Sequence, residues 1–264
     1  MEKEENKKYN FTSDDDIIGH GTFGNVYKSI DPKTNEKVAI KQIFFKNDDE
    51  KYKIYNEIDL MERIDSCHSI KLIDKYEKGK CYYIVMELCD DNLDNYVKKK
   101  GKLKIEEIQK ILVQLNDVLR LMKIKKINHR DIKPENILIK YINQNDFIIK
   151  VSDFGLSKEL ISKNYFTSNV GTKIFKAPEV DNNNYDYKAD LYSIGIVLYF
   201  IYFGEHPTNE IKNNYDNNEI KNLINNLIQK DCNKRLDWNN YINHPFIINY
   251  FNKHLNLKLL NDDR

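Results

Sequence analysis

The sequence is short of the features that would place it in a membrane, a secretory compartment or a nucleic-acid complex. Its four cysteines, Cys67, Cys81, Cys89 and Cys232, never form a C-x-x-C pair, which argues against a disulfide framework and reads as free thiols in a reducing compartment. Net charge is nearly absent, at +1 from 42 basic and 41 acidic residues, so no overall field draws the chain to nucleic acid or to a bilayer. Runs such as Lys98-Lys99-Lys100 then read as solvated helix ends, and neither nucleic acid nor a membrane is an expected partner. No apolar run reaches the ~20 residues of a membrane span; the longest, Leu191 to Phe203, is broken by Ser193 and reads as a helix buried inside a domain. The opening Met1-Glu2-Lys3-Glu4-Glu5 is too charged for a signal peptide. A cytoplasmic protein is expected, with the nucleus left open.

What is present suits a globular unit: 264 residues, 41% hydrophobic and 12% aromatic, can bury a substantial core. The most informative segments are His129-Arg130-Asp131-Ile132-Lys133-Pro134-Glu135-Asn136 and, further on, Asp153-Phe154-Gly155. Acidic residues and an amide on separate loops are the set that holds magnesium under a triphosphate and orients an incoming hydroxyl. Gly19-His20-Gly21-Thr22-Phe23-Gly24-Asn25-Val26 and Val38-Ala39-Ile40-Lys41 precede them, and Ala177-Pro178-Glu179 and Arg235 follow. In this order, over about residues 11 to 250, the chain resembles a eukaryotic protein kinase catalytic domain of the serine/threonine type.

The resemblance implies an α+β bilobal fold, with an antiparallel N-lobe sheet carrying one regulatory helix and a mainly helical C-lobe. A tail over 1–10 would precede a kinase domain over 11–264, with the N-lobe at about 11–88 and the C-lobe at about 91–264. It also implies ATP and Mg2+, and transfer of the γ-phosphoryl group to Ser/Thr hydroxyls of a protein substrate.

The glycine pattern alone fits a dinucleotide fold too, but there a helix follows the third glycine. Here Val26-Tyr27-Lys28-Ser29-Ile30 continues as a strand, so a hairpin is predicted, within a run of three strands from Phe11 to Gln42. Gly19, Gly21 and Gly24 would let the backbone close over phosphates, with Phe23 at the tip shielding the transferred group, and His20 and Thr22 completing the loop. Lys41 on the third strand would meet the α- and β-phosphates, though a lysine ending an exposed strand is the plainer alternative. Val26 and Ala39 would pack on adenine, and Leu138 is assigned to the same nucleotide site. A helix from about Asp49 to Ile64 carries an Ile54, Ile58, Met61 stripe, and beside it Glu57 fits the partner of Lys41 better than Glu50 or Glu62. A strand near Ile70 to Tyr76 and a hairpin at Glu77-Lys78-Gly79-Lys80 lead to a segment that resembles the family's hinge, in which Met86 would gate the back pocket and the Glu87 to Cys89 backbone would meet adenine. The ribose contact stays open between Asp91 and Asn92.

Apolar residues from Ile108 to Met122 recur every three or four positions and predict a long amphipathic helix feeding the catalytic loop. By the resemblance Asp131 orients the substrate hydroxyl, Lys133 stabilises the migrating phosphoryl group, Asn136 and Asp153 hold the metal, and Thr172 bonds Asp131 and Lys133. Phe154 would stack with Met61, Leu72 and His129. The spacing from Asn136 to Asp153 is longer than the family usually shows, which predicts a surface hairpin at Tyr141 to Asp146. The activation segment holds Ser162, Tyr165, Thr167 and Ser168, and Arg130, Lys158 and Lys53 would form a basic pocket for a phosphate on Ser168 or Thr167 added by an upstream kinase. Asp190 would tie the catalytic loop backbone, and Glu179 would pair with Arg235.

The chain departs from the family where only Thr208 to Asn217 joins His206-Pro207 to a helix near Asn218 to Gln229, and again at Phe175 and Lys176. Asp153 to Lys158 resembles the calcium/calmodulin-dependent group, although no calcium loop or calmodulin-binding tail is read in the sequence. The competing function is a kinase-fold scaffold without catalysis.

Overall fold

The computed structural model describes residues 9–11, 16–21, 24–144, 146–156, 158–159, 173–182, 186–208 and 212–250. Among them a five-stranded antiparallel sheet forms the N-terminal lobe: β1 (Ile17–Gly21), β2 (Gly24–Ile30), β3 (Lys37–Phe44), β4 (Leu72–Lys78) and β5 (Cys81–Glu87), in spatial order β1-β2-β3-β5-β4. Gly24 lets β2 approach β3, because a Cβ there would sit 1.8 Å from the Gln42 carbonyl oxygen. Asp31 makes the β2–β3 turn: its carboxylate accepts the Lys33 N–H (2.9 Å), its carbonyl accepts that of Asn35 (2.8 Å), and Asn35 takes φ 58. Phe11 lies outside β1, where the sequence suggested a strand start, and packs on Tyr27 and Tyr83 with ring centroids 5.0 and 5.8 Å away.

Helix α1 (Asp48–Arg63) begins where Asn47 accepts the Glu50 N–H at 2.9 Å, with Asp48, Asp49 and Glu50 favouring the positive end of the helix dipole. Its buried face is Ile54, Ile58, Leu60 and Met61, and Glu57 is buried with them. The strand expected at Ile70 to Tyr76 begins at Leu72 instead. Upstream of it the backbone turns to the other lobe, where Ile70 N–H donates to Val151 O (2.9 Å) and Val151 N–H to His68 O (2.8 Å).

The C-terminal lobe contains β6 (Asp91–Asn92), α2 (Leu93–Lys100), α3 (Ile105–Ile124), β7 (Ile127–Asn128), β8 (Ile137–Asn143), β9 (Asp146–Val151), β10 (Lys158–Glu159), α4 (Lys188–Phe203), α5 (Asn218–Leu227) and α6 (Trp238–Ile242). Asn92 caps α2, Gly101 at φ 79 ends it, and Lys98, Lys99 and Lys100 reach out to Asp94, Asp91 and Glu107. The apolar stripe of α3, from Ile108 to Met122, is buried. Helix α4 is buried around nearly its whole circumference and lies so close to α5 that a Cβ on Gly195 would come within 2.7 Å of Leu227 Cβ. The long Asn136 to Asp153 spacing is the β8–β9 hairpin, whose Tyr141 and Ile142 are exposed. Helix α5 stops at Leu227, short of the expected Gln229, where the Asn226 carbonyl, which a longer helix would need for its next bond, accepts the Leu236 N–H at 3.2 Å. No helix of the described residues is long and apolar enough to cross a membrane.

Candidate active site

Register sets the wall of the cleft. Val26 pairs with Lys41, Ala39 with Met86 and Lys41 with Ile84, so these side chains share one face of the sheet. Gly19 pairs with Val26 and Gly21 with Gly24 across the β1–β2 ladder, and His20 Nδ1 lies 3.0 Å from Asn25 Oδ1. Thr22 and Phe23, at the tip of this loop, lie outside the described residues.

Lys41 and Glu57 are both buried, with Lys41 Nζ 2.6 Å from Glu57 Oε1 and 3.0 Å from Asp153 Oδ1. Glu50 and Glu62 are elsewhere: Glu50 accepts the Lys46 N–H and Glu62 meets Lys75. Burial alone would lower the pKa of Lys41, but the Glu57 and Asp153 carboxylates outweigh it and raise the value, so the ammonium is charged. Burial likewise opposes ionisation of Asp153, and Lys41 overcomes it, holding that carboxyl below the usual range.

The catalytic loop is anchored from beneath. Asp190, fully buried at the start of α4, accepts the His129 and Arg130 backbone N–H groups at 2.8 Å each. Asp131 N–H lies 3.3 Å from His129 Nδ1, which must then be the acceptor, leaving Nε2–H to donate to the Ser152 carbonyl at 3.1 Å. Asp131 Oδ2 accepts from Asn136 Nδ2 (2.8 Å) and lies 2.8 Å from Lys133 Nζ. Asn136 Nδ2 also donates to the Asp131 carbonyl (2.9 Å), which turns Asn136 Oδ1 outward. Ser152 joins the two loops, since its N–H and Oγ both reach the Asn136 carbonyl, at 2.9 and 3.1 Å. Arg130 and Asp153 hold φ of 70 and 63, left-handed values that a side chain adopts at a cost of about 1–3 kcal/mol and that collect at working sites.

Phe154 is fully buried with its ring centroid 5.1 Å from that of His129, in the same apolar core as Met61 and Leu72. A Cβ on Gly155 would be 3.1 Å from Glu57 Oε2, so the turn after Asp153 sits directly against the α1 carboxylate. Glu179 receives Arg235 through both carboxylate oxygens, at 2.5 and 3.0 Å.

At the hinge, Met86 and Cys89 are half-buried against the core and Leu138 lies on β8, paired with Asn92 and Lys150. Burial pushes the Cys89 thiol up to about 12. Glu87 N–H donates to the Lys71 carbonyl at 3.0 Å, so that amide is spent. The Glu87 carboxylate meets Lys140 (2.8 Å), buried Lys150 (2.7 Å) and the Lys71 N–H (3.0 Å). Sequence reasoning missed this clamp, because its lysines come from a β8–β9 hairpin whose register only the fold sets. Both candidates for the ribose are engaged: Asp91 by Lys99 at 2.6 Å, and Asn92 as the cap of α2.

Phe175 is a core residue, edge-on to His206 at 5.6 Å, with its carbonyl held by Ser193 Oγ at 2.7 Å; Lys176 is half-buried. Among the described residues of Thr208 to Asn217 there is no helix, and Tyr215 packs on Phe203 with centroids 5.0 Å apart. Ser162, Tyr165, Thr167, Ser168 and Thr172 lie outside the described residues, as does the side chain of Lys158. Lys53 is exposed on α1.

A lysine–glutamate pair beside one loop acid, and a second acid braced by lysine and asparagine, define a phosphotransferase cleft between a small sheet lobe and a helical one. The chain belongs to the protein kinase family: its residues 12–247 match the protein kinase domain. It is 31% identical over 271 residues to calcium-dependent protein kinase 5 of Plasmodium berghei (strain Anka), covering 92% of this chain and 48% of that protein. It is 31% identical over 258 residues to serine/threonine-protein kinase atg1 of Dictyostelium discoideum, covering 88% of this chain and 38% of that one. With calcium-dependent protein kinase 5 of Plasmodium falciparum (isolate 3D7) it shares 37% over 205 residues, 75% and 34% of the two chains. The chain therefore spans half or less of the length of these curated relatives.

Proposed function

We propose that this chain is an active kinase that transfers the γ-phosphoryl group of ATP to serine or threonine hydroxyls of a protein. The observation that carries this reading is the contact of buried Lys41 with Glu57 at 2.6 Å and Asp153 at 3.0 Å, formed while Lys133 and Asn136 both reach Asp131 Oδ2.

Lys41, charged and fixed, holds the α- and β-phosphates. Asp131 Oδ2 is occupied by Asn136 and Lys133, so Oδ1 takes the proton of the attacking hydroxyl as its oxygen bonds to phosphorus and the bond to the departing ADP oxygen breaks. Lys133 offsets negative charge on the group in transit. Asp153, whose side chain keeps 41% exposure, and the outward Asn136 Oδ1 are hard oxygen donors of the kind Mg2+ selects. When bound, the ion neutralises charge on the phosphate oxygens. Val26, Ala39, Met86 and Leu138 wall the adenine pocket, and Gly19, His20, Gly21, Thr22, Phe23 and Gly24 cover the phosphates. With the Glu87 amide spent, the Glu87 carbonyl and the Cys89 backbone meet the base.

Thr172 bonds Asp131 and Lys133 when peptide is seated, and an upstream kinase raises activity by phosphorylating Ser168 or, in its place, Thr167. The names of two of these relatives agree with a calcium-dependent grouping for the catalytic unit, without extending calcium control to this chain. The test is incubation with γ-labelled ATP, MgCl2 and a generic protein substrate, followed by phosphoamino-acid analysis. Label on phosphoserine and phosphothreonine supports the reading. Label on phosphotyrosine, or ATP binding with no transfer after treatment with an activating kinase, overturns it.

A further inference from the structure

Away from the cleft, three side chains with metal-binding chemistry meet where the turn between α1 and β4 lies against α3. Cys67 and Asp117 are exposed and His68 is half-buried, and one potential ligand atom from each lies within 4.8 Å of the others.

The imidazole is already oriented. His68 Nδ1 lies 3.3 Å from the Ile149 carbonyl oxygen, which can only accept, so Nδ1 carries the hydrogen. In the neutral ring Nε2 then presents a lone pair, and what faces it at 3.4 Å is Asp117 Oδ2, a second acceptor. Two acceptors at that distance call for a positive charge between them. A proton would satisfy both and leave the thiol unused; a metal ion uses all three. A metal-bound histidine characteristically donates its other nitrogen to a backbone carbonyl, which is the arrangement here.

The backbone beneath is fixed as well. Val151 N–H donates to His68 O at 2.8 Å, His68 N–H to Ser66 Oγ at 3.1 Å, and Ser69 Oγ to Ile64 O at 2.6 Å. Tetrahedral zinc, with bonds of about 2.0–2.3 Å, sets its ligand atoms roughly 3.3–3.8 Å apart; His68 Nε2 and Asp117 Oδ2 already stand at 3.4 Å, and the exposed Cys67 side chain closes in from within 4.8 Å. Sulfur and imidazole donors select zinc over magnesium or calcium.

We propose that Cys67, His68 and Asp117 form a zinc site that is separate from the nucleotide cleft, joins the α1–β4 turn to α3 and leaves its fourth position to water. The whole chain, reduced with a phosphine and held in excess MgCl2 with a non-hydrolysable ATP analogue, is titrated with ZnCl2 by calorimetry and with CoCl2 by absorbance. The expected result is one equivalent of Zn2+ and a near-ultraviolet thiolate-to-cobalt band. Cys67→Ser, His68→Gln and Asp117→Asn should each weaken Zn2+ binding at least tenfold and remove the band or shift it, with Cys232→Ser unchanged. Circular dichroism verifies each fold, and if His68→Gln does not fold, the two exposed positions carry the test. Absence of the equivalent, binding that survives all three substitutions, or a band lost in Cys232→Ser overturns the proposal.

Discussion

Replacing Glu57 by glutamine removes one charge from the Lys41–Glu57–Asp153 triad and leaves its shape intact. Lys41 loses a partner 2.6 Å away and keeps Asp153 at 3.0 Å. At an effective dielectric of 20 an ion pair at 4 Å contributes about 4 kcal/mol. Part of that is returned, because the amide oxygen still accepts from Nζ and the repulsion between the Glu57 and Asp153 carboxylates disappears. A net loss of about 2–3 kcal/mol corresponds to a fall on the order of 30- to 150-fold in kcat/KM for ATP. Lys41 then leans wholly on Asp153, so the Mg2+ concentration for half-maximal rate should rise. Initial rates across ATP and MgCl2 at saturating peptide measure both effects. Glu62→Gln is the control: that residue pairs with Lys75 at the surface, and its loss should change rates less than about twofold. Glu57→Gln within threefold of wild type, or equal to Glu62→Gln, would refute the reasoning.

Asp190→Asn keeps one acceptor for two backbone N–H groups now held at 2.8 Å and sets an NH2 against the other, at about 2–3 kcal/mol; kcat should fall at least tenfold with little change in the KM for ATP, and steady-state kinetics decide it. Gly195→Ala forces a Cβ to within 2.7 Å of Leu227 Cβ and 2.8 Å of Ile228 Cγ2, so about 1–3 kcal/mol of stability and roughly 3–10 °C of Tm should be lost while the KM for ATP holds, as scanning calorimetry with kinetics would show. Acid should destabilise in two stages. Burial holds the His244 pKa below its usual 6.5 against the pull of Glu219, so its contribution, complete above 6.5, is lost as pH falls through the lower native value. Glu87 and Glu107 follow: burial opposes their ionisation, yet Lys140 and Lys150 in one case, and Lys100 and Tyr96 in the other, hold them below 4.5, so stability present above 4.5 is lost beneath it. A Tm measured against pH that stays level down to pH 3 would contradict this sign.

The strands and helices were legible where period and turn chemistry agreed. The Ile54, Ile58, Met61 stripe puts Glu57 at the edge of a buried face, and in the fold that glutamate reaches Lys41. Asp31 and Asn35 carry the turn written in their side chains. What stayed hidden depended on distant chain. Helix α5 ends before Gln229, and the apolar pattern carries no trace of Leu236 drawing the Asn226 carbonyl away. Ile70 is apolar enough to extend β4 in the sequence, yet its N–H goes to Val151 in the other lobe and the strand starts at Leu72. The Asp91 and Asn92 choice could not be made from types alone, since both side chains are committed to α2 and Lys99. The lysines on Glu87 belong to the β8–β9 hairpin, read in the sequence only as a surface insertion.

The most direct test is the single-turnover rate of phosphoryl transfer from labelled ATP to a serine or threonine peptide, compared among wild type, Asp131→Asn and Asp153→Asn. Two acids from distant segments working on one terminal phosphate should give a fall of about 100-fold or more in each variant, on the order of 10²–10⁴ for the base, with Asp131→Asn still binding nucleotide and metal and Asp153→Asn losing its metal dependence. Transfer by either variant at the wild-type rate would contradict that arrangement.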